Sequence, residues 1–121
     1  TALVRMLSNL LDNAATAARS GGGRVRVTLQ RQEGPTGPEG VLIVEDDGPG
    51  MDRATAERAF EPFFSGWPSG PRVGLGLPLA QAIAVGHGGR VELGDSGLGG
   101  VAVRVVLPQE GVGSGPVEGV L

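Results

Sequence analysis

MLSNLLDNAATAAR, residues 6–19, reads as a single helix, and its two faces set the frame for the rest of the chain. Asn9 and Asn13 are the only asparagines among 121 residues. Four positions apart, they share one helical face, with Arg5, Asp12 and Thr16 in the same sector. Leu3, Leu7, Leu10, Leu11, Ala14 and Ala18 fill the opposite side, which gives an amphipathic helix with a broad apolar stripe. A solvated polar face would account for the asparagines. Asn is nevertheless a poor helix former, because its amide competes for nearby backbone groups. Two of them on adjacent turns of an Ala/Leu-rich helix call for a further reason.

Working outward, the helix starts near Thr1, a plausible cap, and stops at Ser20-Gly21-Gly22-Gly23. Arg24 to Arg31 alternates, with Val25, Val27 and Leu29 on one face, and is predicted as a half-buried strand. Gln32 to Gly40, containing Pro35, Gly37 and Pro38, is predicted as a loop. Val41 to Val44 forms a more deeply buried strand that delivers Glu45, Asp46 and Asp47 at its end. Asp52 can cap a short helix over Arg53 to Phe60, and Glu61 to Val73 is irregular. A further helix spans Leu77 to Val85, with Pro78 tolerated in its first turn. Arg90 to Leu93 and Val101 to Leu107 alternate as strands around the turn Asp95 to Gly100. After Pro108 the chain is rich in Gly, Pro and Glu, the composition of a mobile tail. Strand pairs joined by short turns favour an α+β layer, with helices on one face of a largely antiparallel sheet.

Composition narrows the chemistry. The length suits one domain with one core. There is no cysteine, so neither a disulfide framework nor a thiolate metal site is available. All ten basic residues are arginine, which rules out the lysine-bearing phosphate loop. The net charge of −3 is spread along the chain and gives no nucleic-acid footprint. No apolar run approaches the roughly 20 residues of a membrane span.

Three stretches beyond the first helix carry chemical potential. Asp46-Asp47-Gly48-Pro49-Gly50 places a carboxylate at a strand end before a glycine-framed turn. There Asp46 can accept a charge-assisted hydrogen bond from a ligand amine; a solvated turn reads the same way. Gly74-Leu75-Gly76 precedes a helix whose N–H groups and dipole favour an anion, although an ordinary tight turn would also suffice. All four aromatics, Phe60, Phe63, Phe64 and Trp67, lie within eight positions. They suit either the anchor of a movable loop or a local apolar cluster. His87, in Gly86-His87-Gly88-Gly89, is expected to cap a helix end rather than act as a nucleophile.

In this order, NLLDNA (9–14), DDGPG (46–50), FEPFFSG (60–66) and GLGL (74–77) resemble the asparagine, first glycine, phenylalanine and second glycine boxes of sensor histidine kinases. The domain resembles their catalytic ATP-binding domain, in the superfamily shared with DNA gyrase, the heat-shock chaperone and the mismatch-repair ATPases. The resemblance covers roughly residues 1 to 107. It implies a Bergerat-type two-layer α+β sandwich, with helices on one face of a mixed, largely antiparallel sheet. Residues 1–108 would form the catalytic domain and 109–121 a flexible tail. The family's preceding strand and its phosphoacceptor domain are expected to lie outside this chain.

The resemblance also assigns roles. Asn9 and Asn13 would be the catalytic pair, and Asn13 would hold Mg²⁺ against the phosphates of ATP. Asp46 would accept from the adenine amine and repel guanine, whose acceptor oxygen stands at the same edge. Gly48 and Gly50 would border the base; Arg72, Gly74, Leu75, Gly76 and Leu77 would border the phosphates. Residues 65 to 73 would form a lid. ATPase members of the superfamily carry glutamate where this chain has Asn9. An amide cannot act as a general base, whereas neutral imidazole needs none to be nucleophilic. The expectation is therefore a cytoplasmic two-component signal-transduction kinase domain, inactive in phosphotransfer without its partner. The partners implied are a histidine-bearing dimerisation domain and a downstream response regulator, with no nucleic acid and no membrane contact by this domain. A serine-directed anti-sigma-type kinase and a non-catalytic nucleotide-binding adaptor are the alternatives. Thr16, Ala17 and Arg72 depart from the family pattern.

Overall fold

The computed structural model describes residues 2–61 and 76–109. Seven elements follow one another: α1 (Ala2–Ala18), β1 (Val25–Gly34), β2 (Gly37–Asp46), α2 (Arg53–Arg58), α3 (Gly76–Gly86), β3 (Arg90–Asp95) and β4 (Val101–Pro108). The strands form one sheet in the order β1-β2-β4-β3. Each of its three ladders is antiparallel, so the sheet among the described residues is antiparallel throughout.

α1 buries Met6, Leu10, Ala14, Ala17 and Ala18. These meet Leu42 and Val44 of β2, Val103 and Val105 of β4, and Leu77, Ala80 and Ala84 of α3 in one apolar core. Helices α1 and α3 therefore lie together on one face of the sheet. The predicted apolar stripe is the packed one, with its centre turned toward Met6 and Leu10; Leu3, Leu7 and Leu11 line its edge. α1 stops where Gly23 adopts φ +81°, and the Gly23 N–H donates to the Ala18 carbonyl at 3.1 Å. That left-handed conformation is one glycine adopts without steric cost. At the end of α3 the His87 N–H is shared between the carbonyls of Ile83 and Ala84, while its Nδ1 lies 2.8 Å from the Ile83 oxygen. A carbonyl only accepts, so Nδ1 carries the proton and His87 caps the helix.

Two expectations need correcting. Residues 32–40 are not a loop: β1 and β2 run on as a hairpin, paired from Val25↔Asp46 to Gly34↔Gly37 around Pro35-Thr36. Gln32 Nε2 donates to Glu39 Oε1 at 2.9 Å across this extension, so the polar residues that suggested a loop are a cross-strand pair. The second concerns Val25, Val27 and Leu29, which are 37%, 47% and 48% exposed. They alternate onto the core side, opposite Leu42 and Val44, but β1 is the edge strand of the sheet and leaves them open to solvent. Smaller differences are confined to ends: α2 closes at Arg58, α3 gains a residue at each end, and β3 and β4 extend to Asp95 and Pro108. Asp52 caps α2 as expected, its carboxylate accepting from the Thr55 N–H at 2.7 Å.

Candidate functional site

β2 ends on three consecutive carboxylates, and the fold treats each differently. Glu45 points to the side of the sheet away from the helices, where it accepts from Arg26 Nε at 2.9 Å, Ser96 Oγ at 3.2 Å and the Gly97 N–H at 3.2 Å. The Arg26 hydrogen bond is the main influence on its carboxyl, and burial opposes it. Helped by Gly97, the Arg26 charge and Ser96, that bond holds Glu45 below the usual carboxylate range. Glu45 thereby ties the β3–β4 turn to the strand end beside Asp46. The linkage has a definite sign. A depressed folded-state pKa stabilises the fold at pH values above the ordinary carboxylate value of 4.5, and the benefit is lost as pH falls through the lowered value. Urea midpoints measured between pH 7 and pH 3 should therefore fall on the acid side. Glu45→Gln should remove part of that fall, and an unchanged acid limb would contradict the linkage.

Asp47 faces the segment after α1. Its Oδ2 lies 3.2 Å from Arg24 Nε, and its N–H donates to the Arg24 carbonyl at 3.2 Å. Burial is the strongest single influence and raises its pKa. Hydrogen bonds from the backbone and side chain of Arg24 and from the Gly22 backbone together outweigh it, leaving the carboxyl below its ordinary value. This residue is a structural clasp between the start of β1 and the end of β2.

Asp46 is 5% exposed and differs from both neighbours, because no cation pairs with it among the described residues. The Gly48 N–H donates to its Oδ1 at 2.9 Å in a local Asx-type turn, and the Val101 N–H donates to the same oxygen at 3.2 Å. The Gly100 N–H donates to the Asp46 carbonyl at 3.1 Å. No hydrogen bond among the described residues reaches Oδ2. A buried carboxylate with one oxygen anchored and the other unengaged is a ready acceptor for a ligand donor.

The asparagine pair approaches this carboxylate along α1. Asn9 and Asn13 are both half-buried, at the border of the apolar stripe rather than on the solvated face. Asn9, Asn13 and Ala17 form one i, i+4, i+8 row, and the row leads to the loop after Asp46. A Cβ added to Gly48 would stand 2.5 Å from the Ala17 carbonyl oxygen. Asn13 is one turn before Ala17, about 6 Å along the axis, so the amide row ends beside the Asp46 turn. Arg5 and Asp12 on the outer sector are exposed, and the Thr16 hydroxyl donates to the Asp12 carbonyl at 2.9 Å.

The structure also refines the glycine assignments. Gly48 is required by its contact with α1, and Gly50 by its φ of +80°. Leu77 is 8% exposed and packs in the core, so its backbone alone is available to a ligand. Gly76 begins α3, while Arg72, Gly74 and Leu75 lie outside the described residues, as does the expected lid at 65–73. Phe60 packs against the core; Phe63, Phe64 and Trp67 lie outside the described residues too. Sequence reasoning missed Gly100 and Val101. Their link to Asp46 spans 55 residues and leaves no periodic signal, although a glycine pair entering a strand opposite DDGPG was a readable hint. Among the described residues no three His, Cys, Asp or Glu side chains gather as a metal site, and no helix is long and apolar enough to cross a membrane.

Comparison with known proteins gives the family and the fold. Residues 1–111 match the family described as histidine kinase-, DNA gyrase B-, and HSP90-like ATPase. The chain is 43% identical over 112 residues to the sensor histidine kinase GtrS of Pseudomonas aeruginosa, a match covering 92% of this chain and 22% of that protein. It thus spans about a fifth of the length of curated relatives that it matches. Among solved structures, the mycobacterial sensor histidine kinase MprB superposes with a TM-score of 0.66 at 37% identity, covering 86% of this chain and 68% of that one. Full-length ShkA, solved in complex with AMPPNP, also gives 0.66, at 28% identity over 88% of this chain and 21% of its own.

Proposed function

We propose that this chain, which belongs to the histidine kinase-, DNA gyrase B- and HSP90-like ATPase family, binds Mg-ATP as the catalytic domain of a two-component sensor kinase. In this reading it passes the γ-phosphoryl group to a histidine on a dimerisation domain. The observation that carries it is Asp46: a buried carboxylate without a cationic partner among the described residues, anchored through one oxygen, at the end of an asparagine-bearing helical row. Asp46 Oδ2 accepts the exocyclic amine of adenine, and Gly50 lets the backbone turn beneath the base. Full-length ShkA, a structural relative, was solved in complex with AMPPNP, which supports a nucleotide as the ligand.

Asn9 distinguishes transfer from hydrolysis. Its amide can donate to a phosphate oxygen or position a reactant, but it cannot take a proton from water. The reaction then depends on alignment and charge stabilisation rather than on a base. The Asn13 side chain suits Mg²⁺: an amide oxygen is a hard donor, and it stands half-buried on the row that ends at the Asp46 turn. Mg²⁺ commonly takes one or two protein oxygens and completes its shell with phosphates and water. When bound, the ion would neutralise phosphate charge. The acceptor histidine, a response regulator that receives the phosphoryl group from it, and a cytoplasmic location complete the proposal.

Calorimetric titration of Mg-ATP into the chain, with Asn13→Ala beside it, tests the reading. Asn13→Ala should weaken Mg-dependent binding by about tenfold to 100-fold, the loss typical of a disturbed metal environment, while binding without Mg²⁺ changes little. Mixing the wild-type chain with a histidine-bearing dimerisation domain should give an acid-labile phosphoprotein. Acid-stable label would point to serine instead, and no Mg-dependent binding would leave a non-catalytic adaptor.

A further inference from the structure

We propose that Gly100 is a positioning residue for base recognition: its lack of a side chain, together with the N–H groups of Gly48 and Val101, locks one carboxylate oxygen of Asp46 so that only the other meets the purine. The inference rests on the assignment of Asp46 to the base.

A Cβ built on Gly100 would collide with Asp46 Oδ1, and it would also stand 2.7 Å from the Asp46 carbonyl oxygen and 2.7 Å from the Gly48 nitrogen. Those atoms form the cradle. Gly48 and Val101 both donate to Oδ1, and Gly100 donates to the Asp46 carbonyl. The donors come from two strand ends far apart in sequence, so the cradle exists only when β2 and β4 are in register, with Glu45 opposite Ala102. Any side chain at position 100 must displace the carboxylate, the Gly48 turn or both. With Oδ1 held by two donors, rotation about the Cβ–Cγ bond is blocked. The oxygen presented to the ligand is then fixed in both identity and direction.

This locking makes a prediction that simple proximity does not. Asn in place of Asp46 adds no non-hydrogen atom, but its two ends differ: one accepts and the other only donates. A locked site forces the amide oxygen onto the Gly48 and Val101 N–H groups and turns the NH₂ toward the base. That donor opposes the 6-amino group of adenine and suits the 6-keto oxygen of hypoxanthine. An unlocked side chain would turn round and continue to accept from adenine.

Binding of ATP and inosine triphosphate to the full chain, measured by calorimetry, decides the matter. The wild-type chain should prefer ATP by about 100-fold or more, as sites built around a ligand hydrogen bond do. Asp46→Asn should invert the ratio in favour of inosine triphosphate, and Gly100→Ala should bring it to within about threefold of unity. A merely structural role for Gly100 would lower stability and both affinities together but leave their ratio intact. The inference is overturned if Asp46→Asn still binds ATP at least as well as inosine triphosphate, or if Gly100→Ala keeps the wild-type ratio. A wild-type chain that binds neither nucleotide overturns the functional reading itself, and this inference with it.

Discussion

Leu10→Ala is expected to cost about 3 kcal/mol, within the range for removing a buried leucine that its neighbours cannot replace. Leu10 is 1% exposed and sits in the core shared by α1, the sheet and α3. Its core also contains Ala80, Ala84 and Val105, which are too short to extend into the space. For a domain of this size the loss corresponds to a fall in Tm of roughly 10–20 °C. Leu10 is also flanked by Asn9 and precedes Asn13 on the same helix, so a loosened α1 moves both amides relative to Asp46. Thermal unfolding checks the first effect and nucleotide titration the second. A Tm within a few degrees of wild type would mean that α1 is not the keystone of this core.

Gly48→Ala is the second large effect, and it strikes fold and site together. The new methyl group would stand 2.5 Å from the Ala17 carbonyl oxygen and 2.8 Å from its carbon, which belong to the backbone of α1. A helix backbone cannot yield as a flexible side chain can, so either α1 or the Asp46 turn must shift. Overpacking of this kind costs about 1–3 kcal/mol. The same shift disturbs the Gly48 N–H donated to Asp46, so ATP affinity should drop by more than the stability change alone accounts for. Gly50→Ala is the informative control: among the described residues its added carbon meets only the Gly99 carbonyl, at 3.9 Å, and its cost comes from the left-handed backbone instead. Equal losses of ATP affinity in the two variants would argue against the Ala17 contact as the seat of the site.

Much of this architecture was readable from local pattern. α1 announced itself through its apolar spacing, β2 through the continuous apolar run Val41 to Val44, β4 through alternation, and the ends of α1 and α3 through glycine. Of the candidate site, Asn9 and Asn13 stood out because asparagine is disfavoured inside a helix, and Asp46 because it directly follows a buried strand. What escaped depended on pairing between distant segments. Residues 32–40 carry loop-forming residues, and only the register Gln32↔Glu39 shows that they continue a hairpin. The alternation of Val25, Val27 and Leu29 gave the correct face of β1 but could not reveal that β1 is an edge strand whose core side stays open to solvent. Gly48 was legible as a turn glycine, yet the reason for it, the Ala17 carbonyl, lies across the fold. Gly100 and Val101 were missed on the same ground.

In this reading α1 and the end of β2 form one nucleotide site. An amide chemical-shift map of the chain with a non-hydrolysable ATP analogue, recorded with and without Mg²⁺, is the decisive measurement. The largest changes should fall on Asn9, Asn13, residues 46–50 and Val101, with the Mg-dependent component concentrated at Asn13. Nucleotide binding that leaves Asn13 and Asp46 undisturbed, or that moves one without the other, would contradict it.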